Sequence, residues 1–257
     1  MSSQYSFDRT VLRIKLSLQS LRVIAPHMSS NRINNPGDIC RIKSVFLHDP
    51  IHQVFALAED RLDQRCLPSE VVANRENAEA RIRGKNRPCV VLNTNPTDGS
   101  CSVALFFTVE GRDIDEMPFY YRSHSLAVYP TTKIPSHLDG NYPLLNERPL
   151  HTKPEWTLQT RKNNPAEFKD QWVLALPLQL TKKDTRTLRP FKRECDGGNV
   201  NVDLAELTRF RKICHITQEF FLEKFQTPAA LALASTSFMV CLLSSNLSSL
   251  LTIMALD

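Results

Sequence analysis

The sequence predicts a mainly β fold with one late helix, arranged as a small, strongly bent β-barrel. Short apolar runs rich in β-branched and aromatic residues recur through the middle of the chain. Polar, proline-containing stretches separate them. One long helical pattern follows near the end. Spacing of this kind favours a small barrel, because regular strand–helix alternation, which builds parallel sheets, does not occur.

The strands are expected where apolar runs end at turn residues. The first follows the Asn35-Pro36-Gly37 turn. The second and third are joined by the polar loop NTNPTDGS. Pro177 lies within the last run and predicts an edge or a bulge there. The predicted strands span 38–47, 89–92, 101–109, 125–129 and 171–180.

The late helix is expected over 203–225. Asp203 can cap its N-terminus, and Glu206 three residues later can complete a capping box. Phe210 and Phe221 fall on the apolar stripe and are predicted to be core residues. A second helix is expected around 69–82, within a charged excursion.

Two histidines, His48 and His52, have the i,i+4 spacing that lets a helix hold a metal. Pro50 between them predicts that no helix forms, so no metal site is expected.

Seven cysteines, an odd number without C-x-x-C spacing, indicate an intracellular, cytoplasmic chain without structural disulfides or zinc. Dinucleotide, P-loop and nucleophile-elbow motifs do not occur, so no cofactor is predicted.

The two ends of the chain stand apart from the β pattern. Residues 1–35 are expected to be a flexible extension that weakly resembles a mitochondrial targeting segment, and Met28 offers a second start. Residues 227–257 carry no charge before Asp257. This hydrophobic tail is long enough to anchor the chain in a membrane, although scattered serines equally favour a surface-packed or loosely ordered helix. A tail that belongs to no functional unit is the third alternative.

The formal net charge is +5, and basic residues cluster in 81–87 and 181–193. These clusters are either solvated loops or two sides of one groove for an anionic ligand. The side chains expected to contact nucleic-acid phosphates are Arg81, Arg83, Lys85, Lys182, Lys183, Arg186 and Arg189.

Five motifs, in this order, resemble the MazF/PemK toxin family. They are PGDICRI at 36–42, NRPCVVLN at 86–93, VALFFT at 103–108, TTKIPSHLD at 131–139 and QWVLALPLQLTKKDTRTL at 171–188. The resemblance covers 36–226, with insertions at about 50–84 and 139–169. It implies an SH3-like barrel, usually a homodimer, that cuts single-stranded RNA without a metal.

The resemblance assigns catalytic roles to Arg87 and Thr108, with His137 a looser candidate. A guanidinium can hold two phosphate oxygens and stabilise the charge of a pentacoordinate phosphate. A threonine hydroxyl can bond the phosphate or the 2′-oxygen, and a histidine can move a proton. Other nucleic acid, including DNA, is a further possible partner. The alternative is a non-catalytic SH3-like interaction module, with its contacts on the insertions and a membrane-anchoring tail.

Overall fold

The described part of the chain forms eight short strands in one curled, half-barrel sheet with helices packed on it, a mixed α+β fold. The computed structural model describes residues 35–62, 84–109, 114–129, 147–153, 171–192 and 199–240, which all belong to one unit, Ile33–Asp257. The strands are β1 Ile39–Val45, β2 Lys85–Thr94, β3 Cys101–Thr108, β4 Ser125–Tyr129, β5 Leu150–His151, β6 Gln171–Leu174, β7 Leu178–Leu180 and β8 Arg189–Pro190.

The described helices lie between and after these strands. They are α1 Asp49–Leu62, a 3-10 turn Ile114–Glu116, α2 Phe119–Arg122, α3 Lys182–Thr185, α4 Leu204–Glu223 and α5, which is helical over 228–240. The predicted strands and the late helix are therefore confirmed. The sheet order is β5-β4-β6-β3-β2-β1-β8, with β7 also paired to β3.

The predicted last strand, 171–180, forms β6 and β7 with a bulge between them. Phe106 of β3 pairs with Val173 of β6, and Val103 pairs with Leu178 of β7. The four residues 174–177 therefore lie opposite only two residues of β3. Pro177 falls in this interruption, where its missing N–H costs no ladder bond. The predicted bulge at Pro177 is confirmed.

Side chains of the sheet alternate between two apolar layers. Along β2, Cys89 and Val91 point into the curl, whereas Val90 and Leu92 point towards α4. We call the first layer the inner core. It contains Cys40, Ile42, Val45, Cys89, Val91, Cys101, Val103, Leu105, Leu178, Leu180 and Leu188.

The described cysteines are buried thiols that form no disulfide: Cys40, Cys89, Cys101 and Cys214. Burial raises the pKa of the Cys89 thiol well above its usual range, and neighbouring Cys40 and Cys101 add to the effect. Burial alone raises the pKa of Cys214. These thiols therefore act as small hydrophobes in the core.

Helix α1 corrects one expectation. The prediction that Pro50 prevents a helix around His48 and His52 is wrong, because α1 begins at Asp49 and Pro50 lies in its first turn. Proline is tolerated there, since the first N–H groups of a helix have no partner within the helix. The carboxylate of Asp49 accepts a bond from the Phe46 N–H at 2.9 Å. The helix predicted at 69–82 lies outside the described residues.

Helix α4 closely matches the predicted 203–225, and Phe210 and Phe221 are buried as expected. Asp203 caps the helix by accepting a bond from the Glu206 N–H at 2.9 Å. In the described structure the Glu206 side chain does not accept a bond from the Asp203 N–H, so the predicted capping box is not complete. The Glu206 carboxylate instead binds Arg148 and Arg209, which joins the segment 147–153 to α4.

The beginning of the uncharged tail packs into the protein. Leu231, Ala234 and Phe238 of α5 join a core cluster that also contains Phe55 of α1 and Phe221 of α4. Among the described helices, none is long and apolar enough to cross a membrane. The expectations for residues 1–34 and 241–257 lie outside the described residues.

Candidate nucleic-acid interface

Arg87 is the third residue of β2 and is half-buried, with its Nε atom shielded from solvent. Its Cα partner across the sheet is Ile42 of β1. The following residue, Pro88, precedes the first pair of the β2–β3 ladder, Cys89 with Leu105. Pro88 therefore removes no bond from that ladder, which explains how a proline fits in a strand with neighbours on both sides.

A bulge in β1 lies directly beside Arg87. The pairing of β1 with β2 shifts between Ile42 and Val45. Ser44 at the bulge has a φ of 56°, in the left-handed region. Gly84 lies so close that an added Cβ would come within 2.4 Å of the Ser44 carbonyl carbon. Bulges re-aim neighbouring side chains and are frequent beside functional sites.

Thr108 is the last residue of β3 and is exposed. It pairs with Gln171 of β6. Cys89 and Leu105 are opposite partners in the inner core. Arg87 is two residues from Cys89, and Thr108 is three residues from Leu105. Strand alternation therefore places Arg87 and Thr108 at the same end of the sheet but on opposite faces.

The second basic cluster begins at the other end of β2. Helix α3 carries exposed Lys182 and Lys183 and follows Leu180, which pairs with Cys101. Cys101 pairs in turn with Thr94. Thr94 is seven residues from Arg87, or about 23 Å along the strand. The structure therefore does not bring the two lysines to Arg87.

Lys182 belongs to the β2–β3 hairpin instead. An added Cβ on Gly99 would lie 3.4 Å from the Lys182 Cγ. Hydrogen bonds from Ser100 lower the pKa of the neighbouring Asp98 carboxyl, and the charge of Lys182 lowers it further. Thr181 and Asp184 cap α3 with a capping box. Arg186 follows as its exposed C-cap.

Arg189 connects the cluster to the Arg87 end of the sheet. It pairs with Arg41 of β1, and Arg41 pairs on its other side with Pro88. The Nη1 atom of Arg189 donates to the carbonyl oxygens of Arg186 at 2.8 Å and Leu188 at 3.0 Å. The guanidinium of Arg41 lies over the Phe191 ring, with Cζ 5.4 Å from its centroid.

Arg41 and Lys43 also lie at this end of the sheet, and sequence reasoning did not include them among the candidate residues. Both are exposed on β1, alternating with buried Cys40 and Ile42. The pattern Arg-Ile-Lys inside a predicted strand carries this signal, since alternate residues share a face. Among the predicted residues, Lys85 is exposed at the start of β2 and pairs with Val45. Arg81, Arg83 and His137 lie outside the described residues.

The histidines of the described region do not form a metal site. The rings of His48 and His52 pack edge to face with centroids 5.2 Å apart, and His52 contacts Phe238. No group of three or more His, Cys, Asp or Glu residues in the described ranges could hold a metal ion. Burial lowers the pKa of His124 to about 4, so this histidine is neutral at pH 7.

Comparison of the chain with protein-family models, curated proteins and solved structures finds no match.

Proposed function

We propose that the protein binds single-stranded RNA on a MazF/PemK-like barrel, and that Arg87 supports metal-independent cleavage of the bound RNA. The observation that carries this proposal is the position of Arg87. Its half-buried guanidinium lies beside a β-bulge, with Lys85 two residues earlier on the same strand. Arg41 and Arg189 lie at the same end of the next two strands, on the opposite face. A cationic, partly desolvated sheet end suits a phosphodiester ligand.

The strand order supports an SH3-like barrel as the basis of the site. Within the sheet, β8, β1, β2, β3 and β7 are consecutive neighbours, and the one-turn helix α3 joins β7 to β8. The inner core draws its side chains from β1, β2, β3 and β7, with Leu188 just before β8. Five strands around one apolar interior agree with the small barrel that the resemblance implies.

Arg87 has the chemistry that RNA cleavage requires. The fixed fork of a guanidinium can bind two phosphate oxygens and stabilise the extra charge of the transition state. Loss of one such preorganised donor lowers catalysis by about 10²- to 10³-fold in other enzymes. Thr108 can contribute a hydroxyl at the same end of the sheet, on the opposite face.

The test measures binding and cleavage of a labelled single-stranded RNA by the full chain, with EDTA present. Arg87→Ala is expected to abolish cleavage, and Arg87→Lys to retain part of the binding without cleavage, because lysine keeps the charge but loses the fork. Circular dichroism checks that both variants are folded. Wild-type protein that fails to bind RNA at low salt overturns the whole proposal. Binding without cleavage removes the nuclease and keeps the RNA-binding function.

One observation favours a non-catalytic version. Arg87 and Thr108 lie on opposite faces of the sheet, so these two side chains alone do not enclose a single phosphate. A non-catalytic domain predicts that wild-type protein and Thr108→Val both leave the RNA intact, whereas a nuclease that uses Thr108 cleaves RNA as wild type and loses cleavage in Thr108→Val. This comparison separates the two versions, since threonine and valine have nearly the same shape.

A further inference from the structure

Five exposed polar side chains form one strip across the outer face of the sheet. Arg41 is the Cα partner of both Arg189 and Pro88, so these three residues share a face. Asn86 lies two residues before Pro88, which places it on that face. Lys43 is exposed next to it, at the start of the β1 bulge. We call the strip the outer strip; it consists of Arg189, Arg41, Lys43, Asn86 and Thr108.

Thr108 belongs to this strip by register. Ala104 of β3 pairs with Val90 of β2. Thr108 lies four residues beyond Ala104, and Asn86 lies four residues before Val90, so Asn86 and Thr108 share the face of that pair. Further along the same face, Ile39, Val90 and Ala104 are buried beneath α4. The strip is therefore the part of this face that α4 leaves exposed.

Without a bound anion, the neighbouring positive charges of the outer strip repel one another and destabilise the sheet. Arg41 and Arg189 are direct partners on an antiparallel ladder, and like charges in that position destabilise a sheet. Within the described ranges, no carboxylate forms a salt bridge with Arg41, Lys43 or Arg189. Two neighbouring guanidinium groups and an ammonium make the local electrostatic potential positive, which favours a bound anion.

Both arginines are also held in place. The cation–π contact with Phe191 orients the plane of the Arg41 guanidinium. The bonds from Nη1 to two carbonyl oxygens position Arg189, and they leave its Nε and Nη2 atoms available within the described structure. Side chains already ordered in this way lose less entropy when they bind a phosphate.

We propose that the outer strip is the track for single-stranded RNA: Arg41, Lys43 and Arg189 hold backbone phosphates, and Asn86 and Thr108 bond bases or sugars. Phosphate contacts position a strand, whereas neutral donors and acceptors can read base edges. This inference rests on the RNA-binding part of the proposed function and not on cleavage by Arg87, because the outer strip lies on the face opposite to that residue. It also leaves Lys182 and Lys183 outside the binding surface.

The test compares Arg41→Glu with Lys212→Glu, an equal charge reversal at an exposed position of α4. Affinity for a labelled single-stranded RNA is measured by fluorescence anisotropy across a salt series. Arg41→Glu is expected to weaken binding about tenfold or more, and to lower the slope of log K against log salt by about 0.7. Lys212→Glu is expected to change affinity less than about twofold.

Thermal melting tests whether Arg41→Glu is still folded. The carboxylate introduced at position 41 pairs with Arg189 across the ladder, which offsets the lost contact with Phe191, so the melting temperature stays within about 3 °C of wild type. The double variant Arg41→Glu with Arg189→Glu is expected to bind RNA still more weakly than Arg41→Glu.

The outcomes separate the two proposals. If both strip variants bind as wild type while Arg87→Ala loses binding, the outer strip is wrong and the proposed function remains. If Lys212→Glu weakens binding as much as Arg41→Glu, the effect is one of net charge and the outer strip is again wrong. If wild-type protein binds no RNA, the proposed function fails and the strip fails with it.

Discussion

The side chain of Gln53 in α1 pairs with the backbone of Gln179 in β7 as a neighbouring strand would. Its Nε2 donates to the Gln179 carbonyl oxygen at 3.0 Å, and its Oε1 accepts from the Gln179 N–H at 2.7 Å. Because β7 pairs with β3 on its other side, this carboxamide occupies the outer edge of β7. A helix side chain thereby shields the edge of a short strand.

We expect Gln53→Ala to lower the free energy of unfolding by about 1 kcal/mol, since two partly exposed hydrogen bonds are lost. Gln53→Glu should cost more, because a carboxylate cannot donate to the Gln179 carbonyl and repels it. Urea unfolding measures both. Gln218→Ala on α4 is the matched control and should change stability by less than about 0.5 kcal/mol. Equal effects at Gln53 and Gln218 would contradict a role for the edge pairing.

The close approach of Gly84 to Ser44 predicts opposite effects at these two neighbouring positions. An alanine Cβ at position 84 would lie 2.4 Å from the carbonyl carbon and 2.6 Å from the oxygen of Ser44, and backbone atoms cannot move aside cheaply. Gly84→Ala is therefore expected to cost about 1–3 kcal/mol. Ser44→Gly should be neutral or stabilising, because glycine adopts the positive φ of 56° without strain. Denaturant unfolding measures both variants. If Ser44→Gly lowers the midpoint as Gly84→Ala does, this interpretation of the bulge is wrong.

Arg211 binds the backbone of β2 at a second irregularity of the sheet, the register shift between β2 and β3. Its Nε donates to the Leu92 carbonyl oxygen at 2.7 Å, and its Nη2 donates to the same atom. The β2–β3 register shifts between Val91 and Asn93, so Leu92 lies at the irregular point. Arg211→Ala should cost about 1.5–3 kcal/mol, whereas Arg211→Lys should recover part of this loss.

The neighbouring exposed residue serves as the control for Arg211. Lys212→Ala should change the free energy of unfolding by less than about 0.5 kcal/mol. A comparable loss in both alanine variants would indicate a general helix effect and not the bond to Leu92.

His124 should make stability depend on pH. Its Nδ1 lies 2.8 Å from the Tyr120 carbonyl oxygen and 2.8 Å from the Ser123 Oγ, and burial lowers its pKa to about 4. The unfolded histidine, with a pKa near 6.5, takes up its proton first as pH falls. The contribution of His124 to stability is therefore complete above pH 6.5 and is lost between pH 6.5 and 4, by about 3 kcal/mol.

Urea unfolding at several pH values between 7 and 4 tests this dependence. His124→Gln should flatten the decline in stability, because it removes the buried imidazole whose pKa is lowered. His215→Gln, at an exposed position of α4, should leave the decline unchanged. A wild-type stability that stays constant from pH 7 to 4 would contradict the lowered pKa, because it would mean that folded and unfolded protein take up protons equally.

Much of the fold could be predicted from local pattern. The strand 171–180 and its interruption at Pro177 follow from apolar alternation and from the missing N–H of proline. Helix α4 follows from its 3.6-residue periodicity and the cap at Asp203. Helix α1 was missed because Pro50 was interpreted as a helix breaker, whereas its position in the first turn makes it compatible with the helix.

The candidate site was less predictable, because it depends on which strands become neighbours. Arg87 and Thr108 were linked by motif order, but register places them on opposite faces. Arg41 and Arg189 are 148 positions apart in the sequence, and only the pairing of β1 with β8 makes them partners. Sequence alternation could have shown that Arg41 and Lys43 share a face, but not what lies across from them.

The sequence by itself determined the strands, the late helix, the bulge at Pro177 and the basic character of two segments, since these depend on residues near one another in the chain. The tertiary structure alone decided that β8 pairs with β1, that Gln53 covers the edge of β7, and that Lys182 follows a strand paired near the end of β2 remote from Arg87. Such relations depend on strand register and curl. These are set by the burial of two apolar layers over the whole sheet, and local sequence does not encode them.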